Sequence, residues 1–124
     1  MINDLAKKAH AMQVEKGFVV DGQPRPFGVC IALIHSELSE ALEGDRDGLL
    51  NPTKEEKEAI LDGLNESNPT PYKQWSKCVG FELADAMIRI MATAEEHGIE
   101  DLEYYITTKM KYNSTRPAKH GRNY

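Results

Sequence analysis

The sequence predicts an all-α bundle of four to five helices, and three observations carry that expectation. Apolar residues recur at the spacing of one helical face, at Ile31, Ile34, Leu38 and Leu42 and again at Val79, Leu83, Met87 and Ile90. Capping residues, glycines and prolines fall where helices would start and stop. No alternating run of strand length occurs.

Each element follows from local signals. Asn3 is a good N-cap for a first helix that ends near Lys16, with Gly17 as its stop. Leu5, Ala9 and Met12 form its apolar side and leave His10 and Gln13 together on a neighbouring face. Residues 18–25 read as a connection, punctuated by Gly22 and Pro24. A second helix starts near Pro26 or Phe27 and ends at Gly44. Residues 45–71 are polar and broken by Pro52, Gly63, Pro69 and Pro71, an inserted excursion with little core of its own. Within them Thr53 and Glu56 have the capping-box spacing, which predicts a short helix over about residues 54–62. Thr70 as N-cap and Pro71 at the first helical position open a long helix to His97, stopped by Gly98. A last helix over about residues 100–112 carries Leu102, Tyr105, Ile106 and Met110 on one side, and Pro117 and Gly121 hold the stretch after Asn113 extended.

With 124 residues, the chain is most simply a single domain, small enough that an oligomer would help it. No window approaches a membrane span, and the first residues lack the apolar run of a signal peptide, so a cytoplasmic location and no membrane partner are expected. Cys30 and Cys78, without a CxxC partner, read as reduced core thiols. The net charge of −5 hides an asymmetry: residues 107–124 hold five bases and no acid, and the rest hold ten bases against twenty acids. Such a basic tail on an acidic body argues against a nucleic-acid-coating protein, whose positive charge would run along a face. It suits a tail that folds back towards its own acids, or towards an anion those acids help to hold.

Those acids have a pattern. Glu37 and Glu40 sit three apart on the second helix, and Glu82 and Asp85 repeat the arrangement on the long helix. The ordinary reading of one such pair is a solvated surface. Here both pairs border the apolar seam, and apart from Arg89, four after Asp85, no base follows at the position that makes a simple surface ion pair. If the two helices pack side by side, four carboxylates meet. Two carboxylates about 6 Å apart repel by roughly 3 kcal/mol at an effective dielectric near 20, so the cluster persists only if protonated or bridged by a cation. The ligands are all oxygens with no Glu-x-x-His, which favours Mg²⁺ (or Mn²⁺) over a di-iron centre. Mg²⁺ commonly shares its coordination with phosphates, and Lys109, Lys111, Arg116 and Arg122 supply cations for the opposite side of a phosphate chain.

In this order Glu37-x-x-Glu40, Glu82-x-x-Asp85 and Lys109-x-x-Tyr112-Asn113-x-x-Arg116-Pro117-x-x-His120-Gly121-Arg122 resemble the MazG-like nucleoside triphosphate pyrophosphohydrolases of the all-α NTP pyrophosphatase superfamily. The resemblance implies a MazG-like bundle that cleaves a (d)NTP to the monophosphate and pyrophosphate. It implies Mg²⁺ held by Glu37, Glu40, Glu82 and Asp85 as metal ligands and catalytic residues, one glutamate serving as general base. Asn113 would contact the nucleotide, and Lys109, Arg116 and Arg122 would offset phosphate charge in the transition state. It further implies a homodimer, often paired into a tetramer. The chain departs from the pattern in the forty-one residues between Glu40 and Glu82, longer than usual, and in Arg122, where lysine is commoner.

For a base pocket, Trp75 could stack on a base or serve as a core anchor, and His10 and Gln13 could read a base edge or be plain surface residues. His35 reads as a core or supporting histidine rather than a ligand. The alternative function is a non-catalytic helical dimerisation or interaction protein on the same scaffold. A binder of Ca²⁺ or a transition metal is a third.

Overall fold

A computed structural model describes residues 1–117, and they form six helices with no strand beyond an isolated bridge between Val20 and Gln23. These are α1 (Ile2–Glu15), α2 (Phe27–Arg46), α3 (Lys54–Asn65), α4 (Thr70–Trp75), α5 (Val79–Glu96) and α6 (Leu102–Ser114). The all-α class stands, with one helix more than the four to five expected. No helix is long and apolar enough to cross a membrane among the described residues. The chain groups into two compact units, residues 1–24 with 91–117 and residues 25–90.

In the unit of residues 25–90, α2 follows Pro26 as its N-cap and continues two residues past Gly44. The capping box at α3 is formed in both directions: Thr53 Oγ1 accepts from the Glu56 N–H (3.2 Å) and Glu56 Oε1 accepts from the Thr53 N–H (3.0 Å). The second Glu56 oxygen accepts from Trp75 Nε1 at 2.9 Å, so one glutamate caps α3 and clasps α4 to it. Ile60 and Gly63 of α3 are buried, so the 45–71 segment carries some core of its own. The Asn68 carbonyl lies so close to Gly63 that a Cβ there would meet it at 2.5 Å.

The long helix expected from Pro71 to His97 is broken at residues 76–78. Its N-cap is Pro69 rather than Thr70, which is already helical. After the break, the Val79 N–H donates to the Leu49 carbonyl (2.8 Å) and the Gly80 N–H to that of Leu50 (3.1 Å). The first turn of α5 thus satisfies its free donors on the loop after α2 instead of on α4. Gly44 permits the approach, since a Cβ there would stand 2.7 Å from the Lys77 carbonyl.

The buried faces differ from the expected stripes. On α2 the inward row is Cys30, Ile34, Glu37, Ala41 and Gly44, while Leu38 and Leu42 are about half exposed. Around the start of α5 it is Cys78, Glu82 and Ala86, while Leu83, Met87 and Ile90 lie outward. Small side chains occupy the seams because they let backbones approach closely, and the large apolar residues are left for another surface. Cys30 and Cys78 are fully buried, as the sequence suggests.

In the other unit α1 buries Ala6 and Ala9, while Leu5 and Met12 are exposed. Val19, Met91, Ala92 and Ala94 complete its core. Gly17 (φ +80°) and Gly98 (φ +73°) take the left-handed conformation that ends α1 and α5 at the expected stops. Asn3 does not cap its own helix. Its Oδ1 accepts from the Glu103 N–H (3.0 Å) and its Nδ2 donates to Asp101 Oδ1 (2.8 Å), so it fastens the start of α6. Asp101, in the left-handed region at φ +56°, is the N-cap of α6. That helix buries none of its residues, and Tyr105 and Met110 of its expected apolar side are exposed. It extends to Ser114, so Asn113 is helical rather than part of an extended stretch.

Candidate functional site

The packing of α2 against the start of α5 brings the acids together. Carboxylate oxygens of Glu37, Glu82 and Asp85 all lie within 4.8 Å of one another. Glu40 joins them through hydrogen bonding to Glu82 and Glu37. Glu37 and Glu82 are buried, at 8% and 3% exposure, and occupy the core-facing rows of their helices; Asp85 and Glu40 are at the open side.

The electrostatics record the crowding. Burial, then the hydrogen bond to Glu40 and the charges of Glu40, Asp85 and Glu37, raise the Glu82 carboxyl from 4.5 to about 7. Glu40 moves the other way, lowered by the hydrogen bonds of Glu82 and Glu37 and by the charges of Lys77 and Arg89. Of the two, Glu82 holds a proton to higher pH and Glu40 is the more readily ionised. Glu82 Oε2 is buried and receives no N–H or O–H donor from the described residues. An all-oxygen set with one vacant, buried carboxylate oxygen fits a hard divalent cation, and Glu37, Glu82 and Asp85 are the residues that could hold it.

Sequence reasoning passed over Arg89 except as a neighbour of Asp85. Its Nε donates to Glu37 Oε1 at 2.7 Å, an ion pair between α5 and α2. The signal was present, because Arg89 follows Asp85 by four residues and Glu82 by seven and so shares their face of α5.

The remaining candidates are placed as follows. Lys109 Nζ and Arg116 Cζ lie 5.5 and 5.2 Å from the centre of the Tyr112 ring, which gathers two cations near the end of α6. The Asn113 carbonyl accepts from the Arg116 N–H, and the Asn113 side chain is exposed. Arg122 lies outside the described residues. Trp75 is committed to Glu56, and the rings lining the apolar cavity of about 460 Å³ between α3 and α5 are Tyr72 and Phe81 instead. His10 Nε2 stands 4.0 Å from Asp21, and His35 is exposed rather than a core histidine. Comparison with family models, characterised proteins and solved structures gives no match.

Proposed function

We propose that this chain is a Mg²⁺-dependent nucleoside triphosphate pyrophosphohydrolase that cleaves a (d)NTP to the (d)NMP and pyrophosphate. The observation that supports it is the meeting of Glu37, Glu82 and Asp85 around a buried carboxylate oxygen with no partner. At 4.8 Å and an effective dielectric near 20, each pair of ionised carboxylates repels by about 3 kcal/mol. The proton on Glu82 and the Arg89 guanidinium on Glu37 relieve part of that cost in the metal-free protein, and a divalent ion would relieve it for all three at once. The divalent ion, when bound, would polarise the phosphate oxygens and lower the pKa of the attacking water.

The chain's own residues have separate duties in this reading. Glu37, Glu82 and Asp85 bind the ion. Glu40 stands beside Glu82 and, in the metal-free protein, accepts a hydrogen bond from its protonated carboxyl. The resemblance would have Lys109, Arg116 and Arg122 meet phosphate charge and Asn113 contact the nucleotide. Leu38, Leu42, Leu83 and Met87, about half exposed in the single chain, support a homodimer or a larger assembly.

The test is pyrophosphate release from a panel of nucleoside triphosphates with Mg²⁺, run beside Asp85→Ala. Release that depends on both Mg²⁺ and Asp85 supports the reading. Absence of release from every nucleotide sinks it in favour of a helical interaction protein.

A further inference from the structure

Arg89 is hydrogen-bonded to the acid cluster through Glu37. Its side chain is one-third exposed and its Glu37 partner carboxylate is about nine-tenths buried. The contact is made through Nε, which leaves the two terminal nitrogens and their four N–H donors for another acceptor. Glu37 is also one of the three residues whose oxygens converge. The same carboxylate therefore stands between two cations, a guanidinium that holds it and a divalent ion that would require it.

We propose that Arg89 competes with the divalent cation for Glu37 and, once displaced, turns its guanidinium to the phosphates of the substrate. This rests on the metal-dependent reading above and adds to it an order of events. Without the ion, Arg89 neutralises Glu37 and keeps the two helices paired. When the ion engages Glu37, a planar donor fork is released at the edge of the site, where a phosphate can accept two parallel hydrogen bonds. A nucleotide that takes up Arg89 in turn frees Glu37 for the ion, so each ligand helps the other to bind.

The experiment measures Mn²⁺ binding by electron paramagnetic resonance, without nucleotide, to the wild-type chain, Arg89→Met, Arg89→Lys and Lys77→Met. Lys77 also acts on the cluster by its charge but makes no hydrogen bond to Glu37, so it controls for a general change of field. Expected is Mn²⁺ binding about fivefold or more tighter in R89M. Lys77→Met should stay within about twofold and R89K should fall between R89M and the wild type. The same R89M variant should show a raised KM for nucleotide.

Equal or weaker Mn²⁺ binding by R89M would mean that Arg89 merely positions Glu37, and the proposal would be overturned. If R89M does not fold, R89K binding no tighter than wild type overturns it equally. Mn²⁺ binding by neither the wild type nor the Arg89 variants overturns this proposal and the metal-dependent reading together. Binding by the wild type with no tightening overturns this proposal alone.

Discussion

Replacing Glu82 with glutamine should stabilise the metal-free protein at pH 8 while abolishing tight Mn²⁺ binding. The Glu82 carboxyl is raised from 4.5 to about 7 in the fold, which makes its ionisation cost about 3 kcal/mol. Because the folded value lies above the unfolded one, the associated stability is full below 4.5 and is lost as pH rises through 7. Glu40, lowered, acts in the opposite sense and only as pH falls below its ordinary 4.5, so it does not interfere at higher pH. At pH 8 the wild type carries an ionised Glu82. Glutamine has nearly the same shape, stays neutral and can donate to Glu40 as the protonated acid does. The gain should approach 3 kcal/mol, or roughly 10 °C in Tm for a chain of this length. Melting both proteins in EDTA at one protein concentration, at pH 5 and pH 8, gives the measurement. The gap should open at pH 8 and narrow to about a quarter of that at pH 5. A variant no more stable than wild type at pH 8 would show that Glu82 is not a strained charge, and the convergence argument would fail with it.

Mn²⁺ binding to the wild type should weaken by about tenfold per pH unit below 7, as the proton on Glu82 competes with the ion, and titration at pH 6, 7 and 8 would reveal a flat profile if it does not. Gly44→Ala should cost about 1–3 kcal/mol, because a Cβ there meets the Lys77 carbonyl at 2.7 Å; urea unfolding would show no loss if the backbone can move aside. Thr53→Ala should cost about 1 kcal/mol through loss of the α3 cap, read in the same urea assay. Leu83→Asp with Met87→Asp should turn an assembled species into a single chain in light scattering, whereas an unchanged mass would remove these two residues from any interface.

Helix existence was legible because it rests on near-neighbour signals. The capping box at Thr53 and the stops at Gly17 and Gly98 each need only a few residues, and each is where the sequence puts it. What the sequence hid is long-range. The break before α5 depends on Leu49 and Leu50 offering carbonyls to Val79 and Gly80, and no local pattern at residues 76–78 reports that. The choice of buried face was misread for a related reason. Hydropathy ranks leucine and methionine above alanine, cysteine and glycine, but a close helix seam is selected by size. The row of Cys30, Ala41 and Gly44 therefore turns inward with Glu37, and Leu38 and Leu42 turn out. The pairing of the acids was readable from spacing, whereas the Arg89–Glu37 ion pair joins residues 52 apart and needed coordinates.

The Asn3 fastening has a bearing on the order in which the chain assembles. Its partner at Glu103 is 100 positions away, and α6 contributes no buried side chain of its own. Closing so long a loop on a few polar contacts is slow to become favourable. Helix α6 should therefore settle onto α1 late in folding and detach early under denaturant, so amide exchange along it should be faster than along α2. An Asn3→Ala chain would keep its acids in place while leaving Lys109, Tyr112 and Arg116 on a loosened arm.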